Sequence, residues 1–83
     1  MRLIVVSYEA KGDGTYVLYF EYDGQRFLEE VKICQGVVLY IEYGLSLQKI
    51  LHKNAGSVKS MHRLVFEVYR EGDVTFPFYV GDF

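Results

Sequence analysis

The dipeptide Asp23-Gly24 constrains this chain more than any other feature. It follows Thr15-Tyr16-Val17-Leu18-Tyr19-Phe20-Glu21-Tyr22, a run almost wholly β-branched or aromatic, which suits a pleated strand. Asp and Gly both tolerate positive φ, so the chain folds back there as a tight two-residue hairpin. Folding at that point sets Tyr22 against Gln25, Glu21 against Arg26, Phe20 against Phe27, Leu18 against Glu29 and Tyr16 against Val31. Unlike charges and aromatic rings then lie opposite each other, and both kinds of pair stabilise antiparallel strands. One face carries Tyr16, Leu18, Phe20, Phe27, Val31 and Ile33; the other carries Thr15, Glu21, Arg26, Glu30 and Lys32.

The rest of the chain is read outward from this hairpin. Residues 3–8 are apolar on both faces, which places them mid-sheet or across two layers. Gly12-Asp13-Gly14 is a turn, because a strand follows it and no helix N-terminus is there to hold a phosphate. Residues 37–43 lie between Gly36 and Gly44. That is strand length, although Val38, Ile41 and Leu45 also have helical spacing. A helix is predicted over 46–54, with Ser46 as cap, Leu45 packing on Ile50, and Leu47, Ile50 and Leu51 as its apolar stripe. Asn54 and Gly56 end it. Residues 64–69 and 74–80 flank Glu71-Gly72-Asp73 and read as a C-terminal hairpin, with Pro77 marking an edge or a bulge. The expected fold is one mainly β (α+β) domain over residues 1–83, in the order β-β-β-(β)-α-β-β. An antiparallel sheet and an OB-like barrel are the alternatives.

Composition removes several functions. With 51% apolar residues, eight tyrosines and six phenylalanines, the chain can build a core without a disulfide or a metal. Its lone cysteine, Cys34, closes no intrachain disulfide and suits a reducing, cytoplasmic setting. The apolar run at residues 3–6 is too short for a signal-peptide core. Nothing approaches the roughly 18 apolar residues of a membrane span. A net charge of −2 and a pI near 5.6 speak against a general nucleic-acid binder. His52 and His62 have no Cys, Asp or Glu close in sequence to complete a zinc set, so neither a metal nor a cofactor is expected. No nucleophile motif is present, and the chain reads as non-enzymatic.

Two features remain as candidate sites. From Tyr43 to Phe66 there is no acidic residue, yet the segment holds Lys49, His52, Lys53, Lys59, His62 and Arg63. Lys49, His52 and Lys53 share one helical stripe and are candidates for binding an acidic protein or a nucleic acid. The same cations, with His52 and His62 as acid and base, would suit a small ribonuclease. The second feature is aromatic: Val17, Tyr19, Leu28, Tyr40 and Tyr43 form a candidate interface, most simply for a homodimer. Stacked bases or a small molecule in a barrel are alternatives for it. Glu29 falls on the apolar hairpin face, where a carboxylate must find a partner, reach water or act as a general acid or base. The reading that joins these features is an interaction module that self-associates through aromatic strand surfaces and offers a basic helix face to an anionic partner.

Overall fold

The Asp23-Gly24 turn forms with both residues at positive φ, 52° and 75°, in a computed structural model that describes residues 1–82. It joins β2 (Thr15–Tyr22) to β3 (Gln25–Gln35) in the register read from the sequence, pair for pair from Tyr22↔Gln25 to Tyr16↔Val31. Phe20 and Phe27 stack with ring centroids 5.1 Å apart, and Arg26 Nε lies 3.8 Å from Glu21 Oε2. β1 (Arg2–Gly12) pairs with β2, and β4 (Leu39–Tyr43) pairs with β3. The last strand, β5 (Phe78–Asp82), returns to the free side of β1. The result is one antiparallel sheet in the order β4-β3-β2-β1-β5, curled into a half-barrel. β1 therefore lies inside the sheet, which accounts for its apolar residues. A register shift between Val5 and Ser7 bends it, as β-bulges do.

Two helices, α1 (Leu45–Leu51) and α2 (Ala55–Tyr69), close the concave face. Leu47, Leu51, Met61, Leu64 and Val65 pack there against Leu3, Val5, Leu18, Phe20 and Val31. Here the structure corrects the expected element order. Residues 64–69 are not a strand but the second half of α2, and no hairpin forms around Gly72. The buried positions Ser57, Met61, Leu64, Val65 and Val68 recur at three- and four-residue steps, a helical stripe that the β-branched Val65 and Val68 disguise. Burying that stripe against the sheet outweighs the small propensity cost of valine in a helix. Gly56 opens this helix instead of ending the previous one. Asn54 is its cap: Oδ1 accepts from the Gly56 N–H at 3.0 Å, while Nδ2 donates to the Asp82 carbonyl at 2.9 Å. One side chain thus ties the start of α2 to β5. β5 follows a cis Phe76-Pro77 bond.

The start of α1 also differs from the expectation. Its cap residue is Gly44, and no side chain of α1 itself caps it. Glu29 does so from β3, accepting from the Ser46 N–H at 3.2 Å and from the Leu47 N–H at 2.7 Å. A carboxylate bonds free helix amides more strongly than a serine hydroxyl and also opposes the helix dipole. Leu45 is 72% exposed, so it does not act as a staple. Gly44 is what lets Glu29 approach, because a Cβ there would overlap the Glu29 carboxyl. The carboxylate on the apolar face is a structural tie between sheet and helix.

Ser57 is 2% exposed, and its hydroxyl has no partner among the described residues. It sits against Gly81, where a Cβ would overlap the hydroxyl oxygen. Removing an unsatisfied buried hydroxyl stabilises, so Ser57→Ala is expected to raise unfolding stability by about 1 kcal/mol. Gly81→Ala overpacks the same contact and should cost about 1–3 kcal/mol. Urea unfolding measures both changes, and a loss of stability in Ser57→Ala would mean that the hydroxyl has a partner.

Candidate functional site

β4, α1 and α2 meet around a groove of about 680 Å³. Tyr43 reaches it from the inward-facing side of β4, Lys49 and His52 from α1 and the turn after it, and His62 from α2. Ile41, Leu51 and Val58 supply its apolar wall. Gln48 Nε2 donates to the Tyr43 carbonyl at 2.7 Å and holds α1 to the end of β4. His62 is half-buried, and its Nδ1 lies 2.9 Å from the Val58 carbonyl and 3.2 Å from the Tyr43 hydroxyl. A carbonyl only accepts, so Nδ1 carries the proton in the neutral ring. Nε2 is then the acceptor, with no partner among the described residues. The Tyr43 and His62 rings meet edge to face, with centroids 5.6 Å apart. Burial raises the Tyr43 phenol well above its ordinary pKa of 10.0, so it stays neutral.

The cations around this groove are uncompensated. Among the described residues the only ion pair joins Arg26 to Glu21, on the sheet. Lys49, His52 and Lys53 are exposed, with Lys53 in the turn that follows α1. Lys59 is exposed on α2 and does not line the groove. Arg63 is directed elsewhere: its guanidinium lies 5.9 Å from the Phe78 ring centroid. It lines a second hollow of about 360 Å³ beside Glu67 and Asp73. The six basic residues singled out in the sequence therefore do not form one cluster. Lys49, His52 and His62 converge, joined by Tyr43, which the sequence suggests only as an interface aromatic. The place of His62 is hidden in the sequence because α2 itself is.

The convex face of the sheet carries the other candidates. Both helices pack on the concave face, so they do not cover Tyr19 or Leu28. Leu28 is 59% exposed and, with Val6, Tyr19 and Arg26, borders a hollow of about 310 Å³. The Tyr19 hydroxyl donates to Glu9 Oε1 at 3.0 Å, and this bond raises its pKa. Val17 is buried within the chain and presents little surface. Tyr40 lies on the outer edge strand opposite Cys34. The neighbouring Cys34 side chain, first through its electrostatic effect and then through a hydrogen bond, raises the Tyr40 phenol.

Among the described residues no three His, Cys, Asp or Glu side chains are grouped to hold a metal ion. No helix among the described residues is long and apolar enough to cross a membrane. No family model, curated protein or solved structure matches this chain.

Proposed function

We propose that this chain is a non-enzymatic interaction module that holds an acidic, partly apolar segment of a partner protein in the groove between β4 and the helices. The observation that carries this reading is Lys49 and His52, neither in an ion pair among the described residues, beside an apolar wall. Carboxylates of the partner meet Lys49, His52 and Lys53, and its apolar side chains meet Ile41, Leu51 and Val58. A phosphate backbone has nothing to place against that wall. A long polyanion leaving the groove would also meet Glu9, Glu30 and Glu42, which are exposed on the sheet. A cytoplasmic setting fits the single, half-buried Cys34.

The test is a titration of the labelled protein with a synthetic peptide alternating Glu and Leu, and in parallel with a single-stranded oligonucleotide of equal charge. Amide shifts at Lys49, His52 and His62 on adding the peptide are the expected result. Replacing both Lys49 and Lys53 with glutamate should weaken that binding by about tenfold, with the thermal midpoint unchanged. Tighter binding of the oligonucleotide, falling steeply with salt, would transfer the groove to nucleic acid. An affinity indifferent to both substitutions would remove it from the function altogether.

A further inference from the structure

The two edges of the sheet are unlike. Each edge strand has five residues and one carbonyl held by a side chain, Asp82 by Asn54 at β5 and Tyr43 by Gln48 at β4, but only β5 has a proline just before it, Pro77. β4 itself contains no proline, no lysine and no bulge, features that shield edge strands. Its surroundings are also strongly apolar. Val37 and Val38 before it are exposed, Tyr40 within it is 48% exposed, and Leu45 after it is exposed. Between Gln35 and Lys49 the only charge is Glu42.

We infer that the free edge of β4 pairs antiparallel with β4 of a second copy of this chain, with Ile41 opposite Ile41 across a two-fold axis. The pattern of the strand chooses both this occupant and this register. With Ile41 on the axis, Leu39 faces Tyr43 of the other copy, and Tyr40 faces Glu42. The two Glu42 carboxylates are kept apart, each beside a tyrosine and still opposite Lys32 of its own β3. A shift that centres the axis on Glu42 would bring like charges together, which destabilises a strand pair. The chosen register also directs the exposed Val37 and Val38 of each copy toward the exposed Leu45 of the other, so apolar contact continues past both strand ends. A symmetric contact needs such a self-complementary surface. This inference is independent of what the groove binds.

Sedimentation equilibrium from micromolar to millimolar protein tests it, joined to amide exchange at Leu39 to Tyr43. The unaltered chain should dimerise, and those amides should gain protection as concentration rises. Tyr40→Glu sets a second carboxylate opposite Glu42 twice per dimer and should raise the Kd about tenfold. Tyr40→Lys sets unlike charges in the same places and should keep or strengthen the dimer. The side chain is half exposed, so both variants are expected to remain folded, with circular dichroism of the dilute proteins as the check. Equal weakening by the acidic and the basic substitution would overturn the register. A monomer at every concentration, with β4 amides exchanging freely, would overturn the pairing itself and leave this edge to a foreign strand.

Discussion

Glu29→Ala is expected to lower unfolding stability by about 2 kcal/mol, because it removes a charged acceptor from two helix amides at once. The atoms concerned are the Ser46 and Leu47 N–H groups, held by the two Glu29 oxygens. For a chain of this length the total is only about 4–12 kcal/mol, so the change is readily seen in a urea titration. Amide exchange at Ser46 and Leu47 should accelerate with it. The diagnostic step uses Gly44. Alanine at that position overlaps the Glu29 carboxyl, so in the unaltered chain Gly44→Ala should destabilise. In the Glu29→Ala background the obstruction is gone, and the same substitution should be neutral or mildly stabilising. The backbone there has a φ of −64°, which alanine adopts freely. Equal costs in both backgrounds would mean that the two residues do not meet.

The second large effect lies at alkaline pH. Burial holds the Tyr43 phenol well above 10.0 in the folded chain, whereas the unfolded chain titrates near the ordinary value. Below about pH 10 both states keep the proton, and this tyrosine adds no pH dependence. Above it the unfolded state releases the proton and the folded state does not, so stability falls as pH rises. The ceiling for one such group is about 1.4 kcal/mol per pH unit, lowered here because the ring is only partly buried. Tyr43→Phe keeps the ring against His62 and removes the titration, so its stability should decline less above about pH 10. A smaller slope will persist, since burial also raises Tyr16. Urea midpoints at two alkaline pH values provide the measurement. Parallel declines in the two proteins would show that Tyr43 ionises as easily folded as unfolded.

What the sequence reveals here follows the range of the forces involved. The β2–β3 hairpin is local: a two-residue turn and the pairs flanking it set every partner from Tyr22↔Gln25 to Tyr16↔Val31. Residues 37–43 are legible only in part: Gly36 and Gly44 bracket a strand-length run, but the helical spacing of Val38, Ile41 and Leu45 leaves the choice open, and it is pairing with β3 that makes 39–43 a strand. Residues 64–69 are not legible. Their β-branched content speaks for a strand, and only the sheet beneath, which buries Leu64, Val65 and Val68, makes the helical spacing decisive. The cap of α1 is likewise invisible, since Glu29 lies far along the chain from Leu47 and a local reading offers Ser46. For the groove, the stripe of Lys49 and His52 is readable from helical periodicity. The entry of Tyr43 and His62 depends on how β4 and α2 are placed, which no local pattern specifies.

The unlike edges of the sheet also bear on how far assembly can go. A sheet with two receptive edges offers a tail for every head, and addition of copies then has no natural end. In this chain the two edge strands are equally short, and what sets them apart is the proline just before β5 and the exposed apolar residues around β4. If β4 pairs with its own copy as inferred above, that symmetric contact uses the edge up in both copies at once. In that proposed dimer growth would end at two, despite an aromatic, β-rich sequence of the kind that otherwise favours fibres.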